Sequence, residues 1–211
     1  MIVEKDQVFD LMEKRNIKNF VHFTRERNLT SILENGLLSR CVLDDEGINY
    51  TYNDEYRFDD ELNSVSVSVT WPNYKMFYKL RCENEKENWV VLILDAYKIA
   101  KLDCAYCFTN AASNEMTAIS LEDKKSSDYF ELLFKDDSIR TQLGLQDNET
   151  TDPQAEILVF DDIPVSAIKH IAFLDEKTME KYSYQLEIIG ITCDNEGEYF
   201  GPRHDYEYWS K

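Results

Sequence analysis

Hydrophobic positions along the chain recur in two periods, one helical and one of strands. In residues 4–16, Val8, Leu11 and Met12 fall at helical spacing, which predicts a short amphipathic helix. Residues 19–24, NFVHFT, are strand-like. Residues 28–35 read as a second helix: Asn28 suits the N-cap, Leu29, Ile32 and Leu33 share a face, and Gly36 suits the position just past the end. Val65, Val67 and Val69 alternate with serines in NSVSVSVTW, a half-buried strand. Pro72 ends that strand and opens a helix over residues 72–81. Residues 89–95, WVVLILD, form the most apolar strand, with a short helix over 95–101 behind it. Three more strands follow, over 155–160, 167–174 and 186–192, with a helix over 177–185 between the last two.

One of these strands carries an anomaly. Residues 157–160 are a continuous apolar run, as expected of a strand covered on both faces, yet Glu156 opens it. An ionised side chain at such a mouth faces water, or else it needs a partner or a task. Two stretches lack a core signal. Residues 44–63 are acidic, polar and rich in tyrosine, a long surface segment with room for one helical turn. Residues 114–153 are polar, with weak helical patches at 129–134 and 139–143, and a structureless insertion of that length is often a functional loop. The C-terminal stretch, YFGPRHDYEYW, is aromatic and irregular. The pattern as a whole predicts a mixed helix-and-strand single domain over 1–211, with at least six strands.

Composition fits that picture, since 211 residues with 43% hydrophobic and 13% aromatic content suffice for a proper core. No apolar run approaches the ~20 residues of a membrane span, and the N-terminus does not read as a signal peptide. Five cysteines without regular spacing suggest reduced thiols in a cytoplasmic protein. Cys104 and Cys107 form one CxxC, but a structural zinc site requires a second close pair, and Cys41, Cys82 and Cys193 are isolated. The net charge of −18 is uneven: residues 1–40 carry +1 and 71–120 carry zero, while the rest is acidic. Strong non-specific nucleic-acid binding is thereby disfavoured, and any such contact belongs to the two near-neutral stretches.

Most enzyme classes with a local signature are missing. Six glycines make neither a G-x-G-x-x-G nor a Walker A pattern, and there is no G-x-S-x-G elbow. His22, His170 and His204 are too dispersed for a local metal motif, and His170 reads as a structural strand residue. What remains is His22-x-Thr24 leaving a strand, with Asn28 at a helix start. His22 alone reads as a satisfied core or edge residue. Grouped with Thr24 and a helix N-terminus, it offers several hydrogen-bond donors to a phosphate or a ribose.

Here the residues carry a resemblance. N-F-V-H-F-T-x-x-x-N-L-x-S-I-L-x-x-G-L-L, at 19–38, resembles the opening of the DarT family of DNA ADP-ribosyltransferases, toxins of bacterial toxin–antitoxin and phage-defence systems. W-P-N-Y-K-M-F-Y, at 71–78, resembles that family's P-x-x-x-M-x-Y segment, F-T-N-A-A-S, at 108–113, its N-A-A-S turn, and Q-A-E-I-L-V, at 154–159, its catalytic strand. The likeness covers roughly residues 19–175, and the wording at 63–78 looks closer to the guanine-modifying branch than to the thymidine-modifying one.

The resemblance implies an α+β fold, an ADP-ribosyltransferase-like split, twisted β core with flanking helices, binding NAD in a cleft without a metal. It implies Glu156 and Arg57 as catalytic residues. His22, Thr24 and Asn28 would bind the adenosine side of NAD, and Met76 and Tyr78 would line the nicotinamide pocket. Tyr74, Lys75 and Ser113 would meet single-stranded DNA, with 114–153 as the substrate-recognition insertion. The chemistry suits these residue types. Breaking the nicotinamide–ribose bond builds positive charge on the ribose, which a fixed carboxylate stabilises. That carboxylate can also take a proton from the attacking base, and an unstacked base favours single-stranded substrate. Trp71, Tyr74, Phe77 and Tyr78, interleaved with Lys75, Lys79 and Arg81, read either as stacking faces and phosphate contacts or as the core face of a helix. The expected partner is an antitoxin, a macrodomain or related ADP-ribosyl hydrolase. Two rival readings keep the fold: an RNA or protein acceptor, and a non-catalytic binding domain.

Overall fold

A computed structural model describes residues 2–52 and 61–210. In chain order the elements are α1 (Ile2–Lys14), β1 (Asn19–Arg25), α2 (Leu29–Asn35), α3 (Arg40–Asp45), β2 (Val65–Val69), α4 (Tyr74–Glu83), β3 (Trp89–Asp95), α5 (Ala96–Ile99) and β4 (Cys104–Cys107). Four short helices follow, α6 (Asn114–Thr117), α7 (Leu121–Lys124), α8 (Ser127–Leu132) and α9 (Asp137–Leu143). The chain ends with β5 (Glu156–Val159), β6 (Ile168–Phe173), α10 (Glu176–Ile188), β7 (Thr192–Asp194) and α11 (Tyr206–Trp209). The strands make one twisted sheet in the order β4-β5-β2-β1-β3-β6-β7, antiparallel except for β6 and β7.

Beside the central strand β1 lies β3, whose six residues from Trp89 to Leu94 are all buried, as an apolar run covered on both faces requires. It pairs with β1 over seven positions, Asn19↔Asp95 to Arg25↔Trp89. On one face, Phe20, Val67, Leu92 and Ile157 join the main core beneath α1, α2, α8 and α10. On the other, Val21, Phe77, Trp89, Val91 and Phe200 form a smaller core under α4. Phe23 and Phe77 stack there at 4.5 Å between centroids. Among the described residues no helix is long and apolar enough to cross a membrane.

The sheet is parted beside its centre. β1 and β2 pair only at Phe20↔Val69 and Val21↔Ser68. Beyond that, β2 turns to β5, pairing at Val65↔Val159, Ser66↔Leu158 and Val67↔Ile157. The remainder of β1, from His22 onward, faces β2 across a gap rather than a ladder.

Three sequence expectations change. The strand expected at 186–192 is instead the last turn of α10 followed by the short β7. Thr178, Tyr182 and Leu186 recur every four residues on its buried face, and Tyr182 stacks on Phe173, so packing overrides the β-branched composition. A strand at 104–107 went unread, because its Cys and Ala residues carry little strand propensity. There Cys104 and Cys107 are both buried, and their odd spacing puts them on opposite faces of the strand. Burial pushes the Cys104 thiol up to about 12. Finally, the insertion is not loose: it folds into α6–α9, each N-capped by a side chain at Ser113, Ser120, Ser126 or Asp136.

Candidate active site

The gap between β1 and β2 is bridged by side chains. His22 Nδ1 lies 2.8 Å from the carbonyl oxygen of Ser66, the strand residue it would otherwise pass without pairing. Ser66 Oγ in turn donates to Glu156 Oε2 at 2.6 Å. An imidazole, a hydroxyl and the strand-mouth carboxylate are thereby linked across three neighbouring strands. Glu156 sits where it does because β4 and β5 pair Cys107 against it, fixing the strand end at the edge of the gap.

A second pair stands further along β1. Thr24 is buried, and Asn28 Nδ2 donates to its Oγ1 at 3.0 Å. The same amide donates to the Thr51 carbonyl at 2.7 Å, while Asn28 Oδ1 accepts from the Thr51 amide at 2.9 Å. Asn28 thus stands at the N-cap position of α2, as expected, but its side chain does not cap the helix. It ends a 3-10 turn over Glu26–Asn28 with helical backbone angles, and its side chain clamps the 50–52 segment over the cavity. Gly36 ends α2 as expected, at φ +86. A Cβ there would meet the Ile163 carbonyl oxygen at 2.3 Å, so the chain passes only because the residue is glycine.

These groups line one cavity of 220 Å³. His22, Thr24, Asn28, Met76 and Glu156 all border it, so the structure brings together five of the residues expected from the sequence. The polar face of β2 points the same way, since Ser64, Ser66 and Ser68 are all among its lining. The alternation that reads as a half-buried strand turns its serines to a cleft.

The other expected residues lie elsewhere. Tyr78 is two residues from Met76 on α4, hence nearly opposite around the helix, and is 65% exposed. Lys75 is exposed on α4, outside the cavity. Tyr74 is buried, and burial, with Asp205 adding to it, pushes its hydroxyl well above the ordinary range. Its ring is a core residue rather than an open stacking face. Ser113 spends its hydroxyl on the α6 cap, accepting from the Met116 amide at 3.2 Å. Arg57 lies outside the described residues.

Three contributors had no signal of their own. Ser66 became visible only when β5 paired beside β2. Arg40 borders the cavity from α3, its guanidinium 5.0 Å from the Tyr52 ring centroid. Asn73 is 97% buried by its relative exposure of 3%. Its Oδ1 accepts from the Met76 amide as the α4 cap, which leaves Nδ2, buried at the cavity, without a hydrogen-bond partner among the described residues.

The mixed, twisted seven-stranded sheet with flanking helices has the fold of an ADP-ribosyltransferase. A family model described as ssDNA thymidine ADP-ribosyltransferase, DarT, matches residues 21–195, and the chain belongs to that family of NAD-dependent enzymes. Among solved structures the chain resembles Thermosipho africanus DarTG in complex with ADP-ribose, at TM-score 0.59 and 16% identity, covering 87% of this chain and 51% of that one. It also resembles Thermus sp. 2.9 DarT in complex with NAD+, at 0.52 and 14%, and with carba-NAD+, at 0.53 and 15%, each covering 85% of this chain and 96% of the other. The chain therefore spans about half the length of the Thermosipho africanus protein. At these identities the likeness concerns the fold. No curated protein matches the chain by sequence.

The lining has the chemistry that a nucleotide ligand uses. Ile32, Leu37 and Leu43 give it apolar walls for a base, with a few polar groups to fix orientation. The unpartnered Asn73 amide is a donor awaiting an acceptor, and a buried donor left so costs about 1–3 kcal/mol.

Proposed function

We propose that this protein transfers ADP-ribose from NAD to a base in single-stranded DNA. The observation that carries the reading is the His22–Ser66–Glu156 link at the parted sheet, within a cavity that Thr24, Asn28 and Asn73 also border. Bound NAD supplies the ADP-ribosyl group and its nicotinamide leaving group. Glu156, oriented by the Ser66 hydroxyl, stabilises positive charge developing at the ribose and accepts the proton that the attacking base nitrogen releases. His22, fixed by the Ser66 carbonyl, and Thr24, fixed by Asn28, hold ribose hydroxyls, and Asn73 Nδ2 donates to a ligand oxygen. The Arg57 guanidinium holds the pyrophosphate or orients the base.

The wording of residues 63–78 favours guanine as the acceptor base; the description of the matching family favours thymine. The chain acts as the toxin of a toxin–antitoxin or phage-defence system in the cytoplasm. Its antitoxin is a macrodomain or related hydrolase that reverses the modification, a pairing consistent with the DarTG name of one structural neighbour. Mass spectrometry of digested single-stranded DNA after incubation with NAD tests the reaction and the acceptor, because the adduct mass names reaction and base together. Label from NAD appearing only in RNA or protein rejects the proposal.

A further inference from the structure

A second cavity, of 160 Å³, is lined by the same stretch of chain as the first. That stretch is the segment after β4: Asn110, Ala111 and Ala112 border the first cavity, while Phe108 and Thr109 border the second. Phe108 directly follows Cys107, which pairs with Glu156, and Asp152 lies four residues before Glu156. The second cavity is therefore next to the place where an acceptor base would meet Glu156.

Its outer wall is Trp209, from a tail that continues past the family match at residue 195. That indole is held rather than loose. Trp209 Nε1 donates to Asp205 Oδ2 at 2.9 Å, and Asp205 takes two hydrogen bonds from Arg203, at 2.7 and 2.6 Å. Arg203 also donates to the Thr150 carbonyl at 2.8 Å, fastening the tail to the lead-in of β5. An aromatic ring fixed in advance loses little freedom on stacking.

The rest of the lining tells what enters. Lys135, whose ammonium sits 3.4 Å from the Phe108 ring centroid, pairs with Glu115 at 3.9 Å, which leaves the carboxylates of Asp136 and Asp152 as the remaining charges of the lining. Asp136 and Asp152 each give one oxygen to a backbone amide, of Ile139 and Gln154, within their own turns. An acidic lining repels a phosphate but accepts hydrogen bonds from an exocyclic amine.

We infer that the second cavity is a subsite for the nucleobase adjacent to the modified one, an amine-bearing base stacking on Trp209. The inference rests on single-stranded DNA being the acceptor. The test uses the full chain and oligonucleotides in which each neighbour of the target base is replaced in turn by an abasic site. In the wild type, one such replacement lowers kcat/KM about tenfold, the usual worth of one base–aromatic stack. Trp209→Ala lowers it equally on the intact oligonucleotide, loses nothing further at that abasic position, and keeps the thermal shift on NAD binding. Trp209→Phe retains most of the abasic penalty, and cytosine at that position outperforms thymine. An undiminished penalty in Trp209→Ala, no penalised position in the wild type, or loss of the NAD shift in Trp209→Ala overturns the subsite. A wild-type chain that labels no oligonucleotide overturns the functional reading instead.

Discussion

The first cavity hangs on strands, with His22, Ser66 and Glu156 placed by three strands of one sheet and linked at 2.8 and 2.6 Å. The second hangs on turns and a tail, and what fixes it is buried charge. Arg140 donates to the Glu149 and Gln146 carbonyls at 2.6 and 2.8 Å, and Arg203 binds Asp205 with side-chain exposures of 3% and 0%. A ladder positions side chains as a by-product of backbone pairing, so the cleft can carry polar groups that add little to stability. Turns have no ladder, so their carbonyls need donors from elsewhere, and two guanidiniums with rigid forks supply them. The difference separates the two kinds of failure: changes in the cleft should cost activity, and changes in the clamp should cost the fold.

Arg203→Ala should show the largest effect, a loss of about 3–5 kcal/mol of stability, because it leaves the Asp205 carboxylate buried without its cation. Urea unfolding measures it, and a loss under about 1 kcal/mol, the level of a surface pair, would refute the clamp. Glu156→Gln should lower transfer by about 10²–10³-fold, equivalent to about 2.7–4 kcal/mol, as loss of one electrostatic stabiliser does. The melting temperature should stay unchanged, and near wild-type labelling of oligonucleotides by this variant would sink the proposed chemistry. Ser66→Ala removes a hydrogen bond to a charged group, worth about 1.5–3 kcal/mol, and should cut transfer by at least about tenfold. A Ser66→Ala enzyme as fast as the wild type would detach the linked array from catalysis.

The smallest effect is on acid stability. Burial works against the ionised Asp205 carboxylate, and the hydrogen bonds and charge of Arg203 outweigh it, so the group titrates below its ordinary value. With the folded value the lower one, the contribution is complete above the unfolded value of about 3.9 and drains away as pH falls through the folded value. Melting temperatures below about pH 4 should therefore fall more steeply for the wild type than for Asp205→Asn. Parallel curves would assign the acid loss to other carboxylates.

Much of the cleft was legible because its residues sit at the ends of strongly patterned elements. The apolar run at 89–95 and the valine–serine alternation at 65–69 emerge as β3 and β2. His22-x-Thr24 and Glu156 stood out as polar groups where a buried strand has no use for them. Tyr74 and Tyr78 were harder, because an aromatic helix face is written the same way whether it meets a core or a ligand. Only packing put the first against Arg203 and Asp205 and left the second exposed. Asn28 shows the reverse case: its residue type suits a cap, but the 3-10 turn before α2 freed its amide to hold Thr24 and Thr51.

By itself the sequence determined β1, β2, β3, β5 and β6, the carboxylate among them and the family, since periodicity and short motifs are local and survive without knowledge of neighbours. The tertiary structure alone decided which strands lie side by side. That choice parts β1 from β2, turns a serine face into a cleft wall, and sets Ser66 between His22 and Glu156. It also decided the fate of the tail, where a stretch with no periodicity folds around one buried ion pair, because charge complementarity between distant residues leaves no local pattern.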